Sequence, residues 1–379
     1  MKRERQGTRD RAVRRSLIHR NPLKRRRGPR QSRSIPLHVS IENRRLKGLN
    51  VNISSRFKHA TITLPTLMNF SDKYEETINY INLIREFTSN QHLPNSYKLR
   101  TVLLNRLENI STSAALVLTA ELSRWDDSCK SKLTPQIENW NHDILIKFHQ
   151  LGFFDLFHGS PDFLKLENSS TTNTNIVPYI KGRCGDHEKT RKLKEHLIEI
   201  IGKSIPKWTF LSSGISEAIT NVSHHAYPES EKYQEKDKFW YLTGSFNHKT
   251  KELKIVFYDQ GVTIPKSLPA SKIWEQVLSA LSKLPFVDRK KDEMMLKAAV
   301  ELKRTSTNDT DRGKGLLDLL EFVKQRQSGY ISIISAKGLY KYSRENGQEY
   351  VKTERFKEPL LGTLIIWKAT LDMNQELTE

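Results

Sequence analysis

The sequence has few cysteines and no long apolar run. Its 379 residues include only Cys129 and Cys184, which are far apart and do not form a Cys-x-x-Cys pair. This spacing predicts neither a disulfide framework nor a zinc site and is typical of a protein of the reducing cytoplasm. No apolar stretch approaches the length of a membrane-spanning helix, and no apolar signal-peptide core follows the basic N-terminus. We therefore expect a cytoplasmic protein without a membrane span.

Positive charge is concentrated at the N-terminus. The formal net charge is +20, and residues 1–33 hold 14 Lys or Arg against only Glu4 and Asp10. Such a segment without hydrophobic periodicity predicts a basic disordered tail over residues 1–35. It would attract nucleic acid or acidic membranes without sequence selectivity. The alternatives are a solubilising extension and an Arg-rich organellar transit peptide, although the two acidic residues weigh against the latter.

Alternating strand-like and helix-like segments predict an α/β unit over residues 50–165. Apolar and β-branched residues favour strands at 60–64 and 99–104, and helical spacing favours helices at 72–88, 111–125 and 141–152. The polar run at 168–175 has no hydrophobic anchor, so we place a linker at 166–186.

The N-terminal unit resembles a STAS-type domain. The resemblance is carried by strand 101–104, by the helix that begins near Ser111-Thr112-Ser113-Ala114, and by the helix end at 151–157. In that family a Ser or Thr at this helix start can be phosphorylated by a partner kinase, but the family's Asp-Ser-Ser-Gly-like turn is absent here. The residues themselves favour helix capping instead, because Ser and Thr are strong N-cap residues.

The C-terminal unit, residues 187–372, combines helices with a β-hairpin. We expect helices at 188–202, 271–284 and 292–303, a hairpin at 239–246 and 253–258, and strands at 330–336 and 361–371. This pattern predicts a mixed sheet with helices on one face, that is, a two-layer α/β sandwich.

Glu217 and Asn221 lie four residues apart in an amphipathic helix, so their side chains should be neighbours. An amide oxygen is a suitable ligand for Mg²⁺, and a carboxylate can accept a proton from water or a hydroxyl. The alternative is the solvated polar face of an ordinary helix.

Asp259 ends the second hairpin strand and is followed by Gly261. This arrangement can direct a carboxylate into a pocket where the amino group of adenine would donate to it, while the glycine allows close approach of a ligand. The alternative is a turn that only ends the strand.

A phosphate cradle is predicted where polar residues give way to glycines at a helix start. The segment is Arg312-Gly313-Lys314-Gly315, in which backbone amides and two cations would face an anion.

These motifs together resemble the ATP-binding domain of the GHKL superfamily, which includes histidine kinases, anti-sigma serine kinases, gyrase-type ATPases and heat-shock 90 chaperones. The resemblance rests on the order of four boxes: Glu217-x-x-x-Asn221 with His225-Ala226-Tyr227, Asp259-x-Gly261 with Ile264-Pro265, Gly313-x-Gly315-Leu316, and Gly362-Thr363. It implies a Bergerat-type sandwich that binds ATP and Mg²⁺.

The resemblance also implies residue roles. Asn221 would bind Mg²⁺, and Glu217 would be the general base or would orient the attacking group. Asp259 would bind adenine, Gly261 would allow close approach, and Thr363 would lie at the adenine end. Residues 312–315 would cradle the phosphates.

The sequence departs from the family at Thr263, where a second glycine of the Asp-x-Gly-x-Gly box is expected. This departure leaves a degenerate nucleotide binder or a nucleotide-free scaffold open. For His224 and His225 we favour packing or helix capping over a phosphoacceptor or metal role.

These observations predict an Mg-ATP-binding regulatory protein that hydrolyses ATP or transfers its γ-phosphoryl group to a protein Ser or Thr. The STAS-like unit would be its sensor or partner module. The alternative is a nucleic-acid-associated protein that uses the ATP fold as a switch and residues 1–33 to bind polyanions. The residues do not name a protein partner or acceptor, and they leave a homodimer open.

Overall fold

A computed structural model of the chain describes residues 48–54, 56, 58–89, 97–125, 130, 137–157, 173–229, 233, 238–271, 274–305 and 320–371. The basic tail and the linker residues 166–172 lie outside these ranges. Within the described residues, no helix has both the length and the apolar character needed to cross a membrane.

In its described residues, the N-terminal unit shows two small sheets and the three α-helices given below. Its strands are β1 (Val51–Ser54), β2 (His59–Thr63), β3 (Leu67–Met68), β4 (Lys98–Leu103) and β5 (Asn109–Ile110). Its helices are α1 (Tyr74–Ser89), α2 (Thr112–Ser123) and α3 (His142–Leu151). The first sheet has the order β1-β2-β4, with an antiparallel and a parallel pairing, and β3 pairs with β5 in parallel. The predicted strands and helices of this unit are therefore confirmed.

Capping residues set the ends of α2 and α3. The Ser111 side chain accepts a hydrogen bond from the Ala114 amide at the start of α2. Asn141 caps α3, and Gly152 ends it with a left-handed φ of 80°. Ser111 therefore acts as the predicted N-cap, and every residue of α2 is buried. A helix that is buried all round belongs at the centre of the molecule rather than at its surface.

The C-terminal unit is built on one six-stranded sheet. Its strands are β6 (Thr174–Ile176), β7 (Ile180–Gly182), β8 (Trp240–Asn247), β9 (Glu252–Asp259), β10 (Ser328–Glu345) and β11 (Gln348–Thr370). The order is β10-β11-β9-β8-β6, and β7 also pairs with β8. All the pairings described for this sheet are antiparallel, so the expected mixed sheet is not found among them. The strands β6 and β7 lie within residues 166–186, which we assigned to the linker, but they belong to the sheet.

Among the residues that the structure describes, the α-helices beside this sheet include α4 (Thr190–Ile201), α5 (Trp208–Asn221), α6 (Ile264–Ser267), α7 (Trp274–Ser282) and α8 (Asp292–Thr305). A π-helical turn, Val222–Ala226, continues α5, and a further helical segment covers residues 320–324. The predicted helices of this unit are thus present, and the chain belongs to the general α/β class.

The six-stranded sheet has helices on both faces. Leu193 and Leu197 of α4 and Ile215 of α5 share one hydrophobic cluster with Trp240 and Phe257 of the sheet. The opposite face belongs to another cluster, which contains Tyr241, Val256 and Tyr258 together with most of the core of the N-terminal unit. The two units therefore share a hydrophobic core and are not separated by solvent.

The strands β10 and β11 form a hairpin that extends beyond the rest of the sheet. Its turn is Asn346-Gly347, with φ values of 50° and 82°, as a two-residue turn of this kind requires. β9 pairs with β11 only over Thr363–Thr370. Further along β11, the Glu75 carboxylate of α1 accepts hydrogen bonds from the Lys357 and Glu358 amides at 2.6 and 3.1 Å. Helix α1 of the N-terminal unit thus accepts hydrogen bonds from backbone amides of β11, in the part of β11 that does not pair with β9.

Candidate functional site

Glu217 and Asn221 are in contact near the C-terminal end of α5. Apolar residues such as Leu211, Ile215 and Ile219 bury the opposite side of this helix, so the polar pair lies on the less buried side. The Asn221 Nδ2 donates to Glu217 Oε1 at 3.1 Å and to the Glu217 carbonyl oxygen at 2.8 Å. These bonds orient the carboxylate and place the amide oxygen Oδ1 on the other branch of the Asn221 side chain.

The π-helical turn after α5 contacts the loop that follows Asp259. The Val262 amide donates to the Ala226 carbonyl oxygen at 2.7 Å. Gly261 packs so closely on Ala226 that a Cβ at this position would overlap the same carbonyl group. The absence of a side chain at Gly261 thus serves packing against this turn, which joins the end of α5 to the Asp259 loop. Such π-helical turns are frequent at functional sites.

Asp259 is a buried carboxyl group at the end of β9. Its side chain is held by the Gly261 amide, which donates to Oδ1 at 2.9 Å, and its backbone pairs in register with Thr363 of β11. Burial raises the pKa of Asp259 to about 7, while hydrogen bonds from the Gly261 and Thr363 backbones act in the opposite direction. A buried carboxyl group that titrates near neutral pH is a common feature of functional sites.

Thr363 belongs to a buried hydroxyl pair beside Asp259. Its Oγ1 lies 3.1 Å from the Ser335 Oγ of β10, which also accepts from the Ile264 amide at 2.9 Å. Gly362 has a φ of +76° and leaves no room for a Cβ beside the Asp259 carbonyl group. Ser335 was not among the predicted residues. A small polar residue within a buried apolar strand is the signal that points to it.

Tyr227 links the π-helical turn to the residue before β8 and to the residue after β9. Its hydroxyl donates to the Phe239 carbonyl oxygen at 2.9 Å and accepts from the Gln260 amide at 3.3 Å. Burial, followed by the nearby Asp259, raises the pKa of Tyr227, so this hydroxyl remains a hydrogen-bond donor at neutral pH. It fixes the backbone immediately after Asp259.

Thr263 fits its position without the flexibility of glycine. Its φ of −73° and ψ of 154° are extended, and it is the N-cap residue of α6. Its carbonyl oxygen accepts from the Lys266 and Ser267 amides at 2.9 and 3.0 Å. The departure from the expected glycine therefore does not strain the loop.

The phosphate-cradle residues Arg312, Gly313, Lys314 and Gly315 lie outside the described residues. The rings of His224 and His225 are 5.9 Å apart at the end of α5. Across the described part of the chain, no group of three or more His, Cys, Asp or Glu is arranged to hold a metal ion. Mg²⁺ commonly uses only one or two protein ligands together with phosphate oxygens and water. The fixed amide of Asn221 beside Glu217 fits that mode of binding.

In comparisons with known proteins, no protein-family model, no curated protein and no solved structure matches the chain.

Proposed function

We propose that the chain is an Mg-ATP-binding regulatory protein whose nucleotide site lies between the end of α5, the Asp259 loop and β11. The observation that carries the proposal is the buried Asp259 carboxyl group, whose pKa burial raises to about 7. Its loop is joined to the end of the helix that bears Glu217 and Asn221. In this proposal Asp259 would face the base of the nucleotide, and the Glu217–Asn221 pair would face its phosphates.

The roles implied by the GHKL resemblance fit the contacts of these residues. The ionised Asp259 would accept a hydrogen bond from the adenine amino group, and Thr363 would lie beside it. Gly261 would act indirectly, by letting the Ala226 turn pack against the loop that binds the base. Arg312 and Lys314, with Gly313 and Gly315, would hold the phosphates.

Glu217 would provide the chemistry of the reaction. Bound Mg²⁺ would neutralise phosphate charge, and Asn221 Oδ1 would be its protein ligand. The Asn221 amide donates to Glu217 and so orients its carboxylate. That carboxylate would accept the proton of an attacking water molecule or of a Ser or Thr hydroxyl. Hydrolysis and phosphoryl transfer require the same arrangement of these residues.

The finer architecture is also part of the proposal. We assign α4, α5 and the sheet to a Bergerat-type two-layer sandwich of an intracellular protein. The N-terminal unit would be a STAS-like partner module on the second face of the same sheet. Its direct contact with β8, β9 and β11 suits a module that responds to the nucleotide site.

The test is ATP binding and turnover with Mg²⁺ in the wild type and in the variants Asp259→Asn and Glu217→Ala. Asp259→Asn should weaken ATP binding about 10-fold or more, since it replaces the charged acceptor. Glu217→Ala should bind ATP but lose turnover by about 100-fold or more.

Matched controls are Asp288→Asn and Glu195→Ala, which change carboxylates paired at the surface with Lys291 and Arg191. Both controls should behave as the wild type. Unchanged ATP affinity in Asp259→Asn would refute the site.

A second proposal rests on the charge of the tail. Residues 1–33 carry 14 Lys or Arg against two acidic residues, so a nucleic-acid partner is the alternative. Binding to nucleic acid should weaken steeply with rising salt and should vanish when the tail is deleted. Binding that survives the deletion would exclude the tail as the interface.

A further inference from the structure

A buried polar network connects the N-terminal unit to the loop that carries Asp259. Gln260, the residue after Asp259, donates from Nε2 to Glu121 Oε2 of α2 at 3.3 Å. The same Glu121 oxygen accepts from Arg85 of α1 at 2.9 Å from Nε and 2.7 Å from Nη2. Gln260 is 2% exposed and Glu121 is 1% exposed. These three residues were not among the predicted site residues.

The Gln260 side chain depends on Glu121 for its position. Its second polar atom, Oε1, is buried and has no hydrogen-bond donor among the described residues. The contact with Glu121 is therefore the only side-chain hydrogen bond described for this amide. A charged acceptor in a dry environment makes that bond stronger than a neutral one would be.

The network also reaches the strand that bears Thr363. Tyr258 of β9 interacts electrostatically with Arg85, and its hydroxyl donates to the Leu361 carbonyl oxygen at 3.0 Å. Leu361 directly precedes Gly362 and Thr363. Tyr258 therefore connects β9 to β11 next to Arg85, two residues before Thr363.

We propose that Glu121 and Gln260, supported by Arg85, are positioning residues that fix the Asp259 loop, so that the N-terminal unit sets the affinity for ATP. The proposal rests on the proposed function. The Asp259 loop is held from two sides: by the π-helical turn through Gly261 and Val262, and by α2 through Gln260. Loss of the contact between Gln260 and Glu121 would let the Asp259 carboxyl group turn away from the adenine base. Neither residue takes part in the phosphate chemistry, so binding should change and the chemical step should not.

The test exchanges the two polar groups. Gln260→Glu places a second carboxylate against Glu121, and Glu121→Gln leaves Arg85 without its ionised partner. Each should raise the Kd for ATP about 10-fold with kcat unchanged. The double variant removes the repulsion between two carboxylates by pairing an acid with an amide again, so its Kd should fall at least about 3-fold below that of Gln260→Glu.

Controls separate positioning from general damage. Thr119→Val alters a buried hydroxyl of the same helix that bonds to the Ala115 carbonyl oxygen, and it should bind ATP as the wild type does. If Gln260→Glu does not fold, Gln260→Met removes the amide without adding charge, and the same rise in Kd is expected. Normal ATP affinity in both single variants, or no recovery in the double variant, would overturn the proposal.

Hydrogen exchange tests the positioning without nucleotide. The Gly261 and Val262 amides are bonded to Asp259 and Ala226, so they report directly on the loop. Both should exchange faster in the single variants and should recover protection in the double variant. Unchanged exchange would overturn the positioning role. If the wild type binds no ATP, the proposed function fails together with the claim on affinity, while faster exchange would still support positioning of the loop.

Discussion

The two faces of the six-stranded sheet are covered by helices in different ways. Toward α4 and α5, the strands present apolar side chains, including Trp240, Leu242, Ile255 and Phe257. Toward α1 and α2, the same strands present Tyr241, Ser245 and Tyr258, and the adjoining loop presents Gln260. Tyr241 donates to Ser123 Oγ at 3.3 Å, and Ser245 lies 3.3 Å from the Thr112 hydroxyl.

The apolar and the polar contacts make different contributions to folding. Apolar packing tolerates many small displacements, because its free energy depends on buried area and not on direction. A buried hydrogen bond requires a particular geometry, and an unsatisfied partner is costly. We infer that the face toward α4 and α5 mainly stabilises the sheet. The face toward α1 and α2 fixes where the N-terminal unit docks.

The largest loss of stability is expected from a substitution on the apolar face of the sheet, which packs against α4 and α5. Trp240 is fully buried, and its indole donates to the Arg183 carbonyl oxygen at 2.7 Å. Trp240→Ala should reduce the free energy of unfolding by about 4 kcal/mol, since it leaves a large cavity. Equilibrium urea unfolding measures this loss. A loss of less than about 1 kcal/mol would mean that this face can repack and is not the main source of stability.

A somewhat smaller effect is expected on the polar face. Arg85→Ala should cost about 3 kcal/mol, because it leaves the Glu121 carboxylate buried without its partner. Arg85→Met combined with Glu121→Gln removes both charges and keeps an acceptor for Gln260, so most of the lost stability should return. Equilibrium urea unfolding compares the free energy of unfolding of Arg85→Ala with that of the double variant. A double variant as unstable as Arg85→Ala would show that the ion pair itself stabilises the fold.

The pH dependence of stability distinguishes Asp259 from other carboxylates. Burial raises its pKa to about 7, so the folded state binds a proton that the unfolded state releases between about pH 4 and pH 7. The contribution of Asp259 to stability is therefore complete at low pH and is lost as the pH rises through about 7. Between pH 5 and pH 7 the wild type should lose about 2 kcal/mol more than Asp259→Asn does. Equal pH profiles for the two proteins would contradict the raised pKa.

The smallest effect is expected at Thr263. Its extended backbone and its position as N-cap of α6 need no glycine, and no side-chain capping bond is formed there. Thr263→Gly should change the free energy of unfolding by less than about 0.5 kcal/mol. ATP affinity should stay within about 2-fold, as measured by calorimetry. A large gain in affinity would show that the missing family glycine does limit nucleotide binding.

Local patterns predicted much of the fold because periodicity and capping act over a few residues. Ser111, Asn141 and Gly152 mark helix ends that the structure confirms. The four-residue spacing of Glu217 and Asn221 correctly predicted their contact. The raised pKa of Asp259 could not be predicted, because it depends on burial that many distant residues create.

Two features were missed for physical reasons. We predicted strands only at 330–336 and 361–371, yet β10 and β11 also include the residues between them, up to the Asn346-Gly347 turn. That turn is the local signal that was available. The contact between Gln260 and Glu121 joins residues far apart in sequence, so no local periodicity reveals it. For the same reason, the sequence did not reveal that α1 and α2 cover the second face of the six-stranded sheet.

The Asn346-Gly347 hairpin has a consequence for the order in which the site forms. Glu345 and Gln348 pair across the turn, and the pairing continues to Thr363 beside Ser335. Hairpins built from such local contacts close in about 1–10 μs, whereas contacts between distant segments form more slowly. The hydroxyl pair can therefore assemble within the hairpin before β9 brings Asp259 to it.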